Sequence, residues 1–309
     1  MKSMAYQHGF TLVELLVSMS VGLIITLAAM GMLSVSGRGL NTVDIASQLR
    51  DNGRFVVELI RRMVLQSGYK NNFYAVALPA SGNPIPNITG FNDALIDIND
   101  PLTTQGAGYN GSDILILRFQ ASETYMGSGV TDGSMIDCAG NQVTVVPTNQ
   151  TDRGVSIFHV GVVPNEIDPS LMCSYSSTGV APFITKALIS GVENFQVLYG
   201  TDNVIANKSP VGLTDSVPDS YMRADQITID DDLVGTNNNW KRVRSVRIGM
   251  VLRGSLGSAQ GSIKETYYTF GLSKFSSVND IGTIFIPTVD ARLRQVITFT
   301  VHLRNDQIP

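Results

Sequence analysis

A long uncharged stretch close to the N-terminus constrains the fold of this chain more than any other feature. From Leu15 to Gly37 there are 23 residues without a charged side chain, preceded by a short segment with one basic residue, Lys2. A helix of this length is about 34 Å long at about 1.5 Å per residue, which is enough to cross a bilayer. The stretch predicts a membrane-spanning helix over residues 10–37.

Glu14 lies at the start of this stretch, where a carboxylate is unexpected. A secretory signal has a basic segment, an apolar segment and a cleavage site with small residues, and an acidic group gives it no advantage. A charged group in hydrocarbon costs a few kcal/mol unless it has a partner. Cleavage after Gly9 would create that partner, the α-amino group of Phe10, in the same chain or in a neighbouring subunit. The alternative is an uncleaved signal anchor.

The composition beyond this segment is that of an ordinary globular protein. The 309 residues are 43% hydrophobic and 16% charged, and their net charge of −4 argues against a dedicated nucleic-acid binder. The two cysteines are Cys138 and Cys173. In an oxidising compartment they would most simply form a disulfide, and the alternative is two separate buried thiols.

The helical pattern continues beyond the uncharged stretch but changes character. Apolar residues now recur at helical spacing on one side only. They are Leu49, Val56, Leu59, Ile60 and Met63. Gly68 marks the expected end of the helix. The sequence predicts one helix over residues 10–68, apolar all round in its first half and amphipathic in its second.

Segments with strand periodicity follow within residues 69–309. Phe195, Val197 and Tyr199 share one side of a strand, and residues 246–252 and 297–303 repeat the period of two. The other strand-like segments are 114–119, 143–146, 155–162, 183–189 and 267–270. These features predict an α+β fold in which the long helix packs on an antiparallel sheet with large loop insertions. One β-rich globular domain is expected rather than two.

Residues 9–17, Gly-Phe-Thr-Leu-Val-Glu-Leu-Leu-Val, resemble the N-terminus of type IV pilins and of type II secretion pseudopilins. The resemblance implies that residues 1–9 are a leader peptide and that a prepilin peptidase cuts between Gly9 and Phe10. It also implies that the new amine of Phe10 is methylated. Glu14 would then guide assembly of the subunit into a filament.

Segments near both ends of the chain narrow this resemblance to the PilW family of minor pilins. They are residues 52–55, 61–63, 68–69, 192–200, 240–248 and 294–305. The family implies a pilin-like fold, no cofactor and a single-pass inner-membrane protein whose residues 69–309 form an extracytoplasmic domain in the periplasm. The protein would later move into the pilus, at its tip.

The same resemblance implies a role and partners. The role is initiation of type IV pilus assembly in a tip or priming complex, which supports twitching motility and adhesion. The partners are other minor pilins, the major pilin and a pilus tip adhesin, besides the prepilin peptidase and the inner membrane. The nearest alternative is a minor pseudopilin of a type II secretion system. A membrane-tethered adhesin outside any filament is a third interpretation.

Histidines and acidic clusters give little support to catalysis or metal binding. His8 lies in the predicted leader, His159 lies in an apolar run and is expected in the core, and His302 lies on the polar face of the last strand. Because no catalytic motif accompanies them, we do not expect an enzyme. The acidic residues 230–232 could begin a calcium loop, but Lys241 occupies the position of the bidentate glutamate. Solvated loop carboxylates are the favoured interpretation.

A basic run offers a further ligand hypothesis. Lys241, Arg242, Arg244 and Arg247 could contact DNA phosphates or another pilin subunit. A strand that alternates arginine with valine normally has one solvated charged face, which is the simpler interpretation. Nucleic acid is therefore the least favoured partner.

Overall fold

The first element of the fold is a single long helix. The computed structural model describes residues 11–71, 83–97, 99–259, 261, 264–272 and 275–305. Helix α1 spans Leu12–Gln66, 55 residues without a break, or about 80 Å at about 1.5 Å per residue. Gly68 follows with a φ of 79°, a left-handed conformation that glycine adopts without steric cost at a helix end. The expected end of the helix is therefore correct.

The rest of the described chain is mostly β-structure with short helical segments. The strands are β1 (Ile88–Phe91), β2 (Leu95–Ile96), β3 (Thr104–Gly106), β4 (Ile114–Phe119), β5 (Gly154–Val162), β6 (Pro169–Ser176), β7 (Ile184–Ser190), β8 (Val192–Thr201), β9 (Ser220–Met222), β10 (Val243–Arg253), β11 (Tyr267–Tyr268), β12 (Ile284–Phe285) and β13 (Arg294–His302). Helices α2 (Ala224–Ile227) and α3 (Leu233–Trp240) lie between β9 and β10. The fold is α+β and antiparallel, as expected.

The larger strands form two sheets, whereas the sequence predicted one. The first sheet has the order β1-β4-β5-β6-β7 and the second has the order β13-β10-β8-β9. Gly191 is the single residue between β7 and β8, where the chain passes from one sheet to the other. Its N–H donates to Pro169 of the first sheet, and its carbonyl accepts from Arg253 of the second, both at 2.7 Å. Strand periodicity reports which faces are buried but not where a sheet ends, so the division was not predictable.

The two sheets and the second half of α1 share one apolar core. Val56, Ile60 and Met63 of α1 are fully buried in it, together with residues from β4, β5, β6, β8 and β10. The helix comes so close to β13 that a Cβ at Gly53 would lie 2.3 Å from Cδ1 of Ile297. The amphipathic pattern of residues 49–63 is explained by this packing.

Three local predictions differ from the structure. Residues 143–146 are not a strand: Val143 packs in a small cluster with Phe119 and Ala121, and the only pairing beside it is an isolated bridge between Ile136 and Gln142 in this described segment. Strand β6 was missed because its serines resemble a loop composition, although it lies between β5 and β7. Helix α3 was not predicted, because its asparagines have low helix propensity; Asn239 donates to the carbonyls of Lys208 and Ile227 at 2.9 and 3.0 Å.

Candidate assembly site

Helix α1 begins with a reciprocal pair of hydrogen bonds between Thr11 and Glu14. The N–H and the hydroxyl of Thr11 donate to Oε2 of Glu14 at 2.9 and 3.0 Å, and the N–H of Glu14 donates to Oγ1 of Thr11 at 3.3 Å. This capping box satisfies two backbone donors that a helix start otherwise leaves unpaired. Sequence reasoning missed the role of Thr11, although the spacing Thr-x-x-Glu is its signal. Gly9 and Phe10 lie outside the described residues.

The first half of α1 exposes apolar side chains around its whole circumference. Residues 12–37 are all exposed, with Leu12 at 74%, Ile24 at 66% and Val35 at 72% of their maximal area. The first α1 residue that is buried against the globular domain is Ile45. This helix is long and apolar enough to cross a membrane, judged by length and composition. The surface is far larger than the apolar patches that soluble monomers expose.

Three hydroxyl side chains in the first part of this half form hydrogen bonds within the helix. The hydroxyl groups of Ser18, Ser20 and Thr26 donate to backbone carbonyls three or four residues earlier, at 2.9, 2.6 and 2.9 Å. These three donors therefore do not require water, as an apolar environment demands. The helix stays continuous across Gly22, Gly31 and Gly37, so these glycines do not break it.

Comparisons with known proteins agree with this geometry. Residues 157–305 match the family model of the type IV pilus-assembly protein PilW, and residues 4–30 match the prokaryotic N-terminal methylation motif. The chain is a pilin-like protein of the PilW family. The proteins of this family are pilin-like structural proteins. The methylation-motif match includes Gly9, Phe10 and Glu14, whose cleavage, methylation and assembly roles stay predictions.

A solved structure and the curated proteins were also compared with this PilW-family protein. A type IV-like pilin from Thermus thermophilus is 11% identical to it, with a TM-score of 0.43 over 84% of this chain and 98% of that one. No curated protein matches the chain significantly. The family assignment therefore rests on the two family-model matches.

Cys138 and Cys173 form a disulfide in this PilW-family protein, as predicted. Their Cα atoms are 5.9 Å apart, and both residues are buried in the core. The bond ties the long connection between β4 and β5 to strand β6. Such a closure stabilises a fold by roughly 4 kcal/mol in the chain-entropy model.

Most residues in the basic run of this pilin-like protein contact other residues of the same domain. Arg244 forms an ion pair with the buried Asp202, with Nε and Oδ2 at 3.2 Å. The guanidinium of Arg247 lies 4.5 Å from the centroids of two aromatic rings. Arg242 donates to backbone carbonyls of the neighbouring loop. These contacts favour a structural role for the run over a phosphate-binding surface.

Two of the acidic and histidine residues singled out in the sequence, Asp232 and His159, have structural partners. Asp232 caps helix α3, since its Oδ1 accepts from the N–H of Gly235 at 2.8 Å. His159 is 4% exposed and lies 3.0 Å from Oγ of Ser174 through Nε2. Burial lowers the pKa of His159 to about 4, so the ring is neutral at pH 7. His302 is exposed, as expected.

A buried ionic cluster was not predictable from the sequence. Glu193 accepts from Nη1 of Arg253 at 2.8 Å and from Nε of Arg294 at 2.6 Å. The partners are separated by 60 and 101 residues in the chain. No local pattern indicates such a pairing. The cluster links β13 to the first residues of β8, on either side of β10.

Proposed function

We propose that this protein is a minor pilin that helps to initiate type IV pilus assembly as part of a tip or priming complex. It is held first in the inner membrane by residues 10–37, with its globular domain in the periplasm, and then enters the pilus at its tip. Its partners are other minor pilins, the major pilin and a pilus tip adhesin. Twitching motility and adhesion follow from the pilus that it helps to start.

The observation that carries this proposal is the two-part character of α1. An apolar surface about 39 Å long, at about 1.5 Å per residue over residues 12–37, lies outside the globular domain. Lipid can cover it in the membrane, and the apolar helices of other subunits can cover it in a filament. The same helix continues without a break into the core, so a subunit drawn into the filament carries its folded domain with it.

The N-terminal residues supply the step that aligns one subunit with the next. A prepilin peptidase cuts between Gly9 and Phe10, and the freed amine of Phe10 is methylated. The carboxylate of Glu14 is already oriented by Thr11, with Oε1 outside the Thr11 bonds. A charge pair in an apolar medium is strongly favourable compared with either charge alone. The pair of Glu14 with an amine of a neighbouring subunit would therefore fix the axial register.

The disulfide supports the placement of the globular domain outside the cytoplasm. Disulfides persist in the bacterial periplasm and on cell surfaces and are rare in the cytosol. Cys138 and Cys173 are buried and bonded, so the domain is built for an oxidising compartment. Orientation with the domain in the periplasm is the proposal that follows.

A deletion strain distinguishes this function from that of a secretion pseudopilin. We expect loss of pilin that can be sheared from the cell surface, with the activities of secreted enzymes unchanged. The measurement is the amount of sheared pilin, scored beside exoprotein activity, with the complemented strain as control.

The opposite pattern would change the assignment. Loss of secretion with intact pili would make the protein a type II secretion pseudopilin. No change in either readout would contradict a role in assembly.

A further inference from the structure

Two buried arginines lie side by side on the first sheet. Arg118 in β4 pairs across the sheet with Val155, and Arg153 comes two residues before Val155. The two arginines are therefore diagonal neighbours. They are only 8% and 7% exposed. Burial and the charge of Arg153 lower the pKa of Arg118 to about 9, and burial lowers that of Arg153 to about 10. Both remain cations at pH 7.

The partners of these two guanidinium groups are neutral. Nη1 of Arg118 donates to the carbonyl of Pro86 at 3.2 Å and to Oγ1 of Thr89 at 2.9 Å. Nη1 of Arg153 donates to Oδ1 of Asn87 at 2.7 Å, while its Nε is buried without a hydrogen-bond partner. Among the described residues, no carboxylate lies within 4.0 Å of either group.

Other arginines with little exposure in this protein have carboxylate partners. Arg244, Arg253 and Arg294 each contact a carboxylate, at 3.2, 2.8 and 2.6 Å. An uncompensated charge inside a protein is strongly unfavourable, and two like charges beside each other are more so. The exception at Arg118 and Arg153 therefore points to a counter-charge that the described residues do not supply.

Arg153 lines a small cavity that could receive such a charge. The cavity is also lined by Lys70, Lys241, Gln150 and the segment Pro84–Asn87, and no described carboxylate borders it. Residues 72–82, beyond the described part of the chain, contain no Asp or Glu. The cavity has about 10 Å³ for the centre of a water-sized sphere, close to the space that one water molecule needs.

We propose that this cavity, which Arg153 lines beside its neighbour Arg118, binds a small monovalent anion of about halide size. The anion neutralises the arginine pair and accepts a hydrogen bond from Nε of Arg153. It connects the segment before β1 with the residue that precedes β5, because Pro84–Asn87 and Arg153 line the same cavity. The site is independent of the assembly role proposed for α1.

The test compares two salts on the detergent-solubilised full chain. Thermal unfolding is followed by the fluorescence of Trp240, the only tryptophan, in sodium chloride and in sodium methanesulfonate at equal ionic strength. We expect a midpoint about 3 to 5 °C higher in chloride for the native chain. Arg153→Gln, whose amide can still donate to Asn87, should lose this difference. Arg61→Gln, which removes the same charge at an exposed position, should keep it.

A direct measurement covers the case in which Arg153→Gln does not fold. The native chain should broaden the chlorine-35 resonance, and excess bromide should reverse the broadening. Equal midpoints in both salts together with no reversible broadening would overturn the proposal. So would an Asp306→Asn variant that responds to chloride while the native chain does not, because the counter-charge would then be the carboxylate of Asp306.

Discussion

Glu14 is the residue on which the proposed assembly step depends, and the structure gives it a second task. Its carboxylate caps the start of α1 through Thr11, so a substitution at Glu14 removes both a cap and a charge. Loss of a capping residue costs about 1 kcal/mol of helix stability, whereas loss of the charge removes the proposed subunit pair. The two effects are separable because a substitution at Thr11 removes the cap and keeps the charge of Glu14.

We predict that Glu14→Ala leaves the protein processed and membrane-bound but reduces its incorporation into purified filaments at least about tenfold, the effect of roughly 1.4 kcal/mol of lost pairing. Thr11→Ala is the matched control, because it breaks the capping box and keeps the carboxylate. The measurement is the ratio of variant to major pilin in sheared pili. Normal incorporation of Glu14→Ala, or an equal defect in both variants, would contradict the registration role.

His159 gives the domain a predictable dependence on pH. Its pKa is about 4 in the folded protein and about 6.5 when exposed, so the unfolded chain binds the extra proton first. Stability is therefore fully present above about pH 6.5 and falls as the pH decreases toward 4.

We predict that, between pH 7 and 4.5, the native chain loses about 2 to 3 kcal/mol more unfolding free energy than His159→Gln does. Urea unfolding followed by Trp240 fluorescence at the two pH values measures this difference. The glutamine variant controls for all other titrating groups. Parallel losses in the two proteins would show that His159 is not the group responsible.

At the scale of elements, α1 is one helix with two different surroundings. Residues 12–37 are all exposed, while Val56, Ile60 and Met63 lie in the core of the globular domain. The transition needs no break in the helix, because only the side chains change. The second half of α1 packs closely against β13 because Gly53 has no side chain and leaves room for Ile297.

We predict that Gly53→Leu destabilises the domain by about 1 to 3 kcal/mol, because the added side chain must displace Ile297 and shift the helix from the sheet. The double variant Gly53→Leu with Ile297→Ala should recover part of the loss. Urea unfolding of the detergent-solubilised chain measures both values. A single variant as stable as the native chain would show that the helix does not pack as tightly as the structure indicates.

At the scale of the whole molecule, two sheets and a helix share one core. A few contacts between residues far apart in the sequence hold them together. Gly191 joins the sheets through its backbone, and Glu193 pairs with arginines of β10 and β13. Asp113 adds another link, since its Oδ2 accepts from the N–H of Val197 at 2.7 Å. The disulfide fixes the long connection after β4 to the first sheet.

We predict that the double variant Cys138→Ser with Cys173→Ser lowers the unfolding free energy by about 2 to 5 kcal/mol, since the unfolded chain gains freedom and the buried hydroxyls lack suitable partners. Denaturant unfolding measures the loss, and chemical reduction of the native chain should reproduce most of it. Unchanged stability in the variant would show that the bond is dispensable for the fold.

Local patterns were sufficient for the features that depend on neighbours in the chain. The uncharged run and the spacing of Leu49 to Met63 predicted the two halves of α1, and the period of two predicted β10 and β13, because burial imposes those periods directly. The N-terminal motif and the C-terminal segments predicted the family, and the two cysteines predicted the disulfide. The assembly roles of Gly9, Phe10 and Glu14 were inferred from the same local motif and stay predictions.

Only the tertiary structure decided how the pieces combine. The chain divides into two sheets at Gly191, and the serine-containing segment of β6 is a strand. Glu193 pairs with Arg253 and Arg294. Each of these features depends on contacts between residues far apart in the chain. No local period encodes such contacts, because their free energy comes from burial and charge pairing that exist only once the chain is folded. Arg118 and Arg153 form no ion pair with a described residue, and this too is visible only in space.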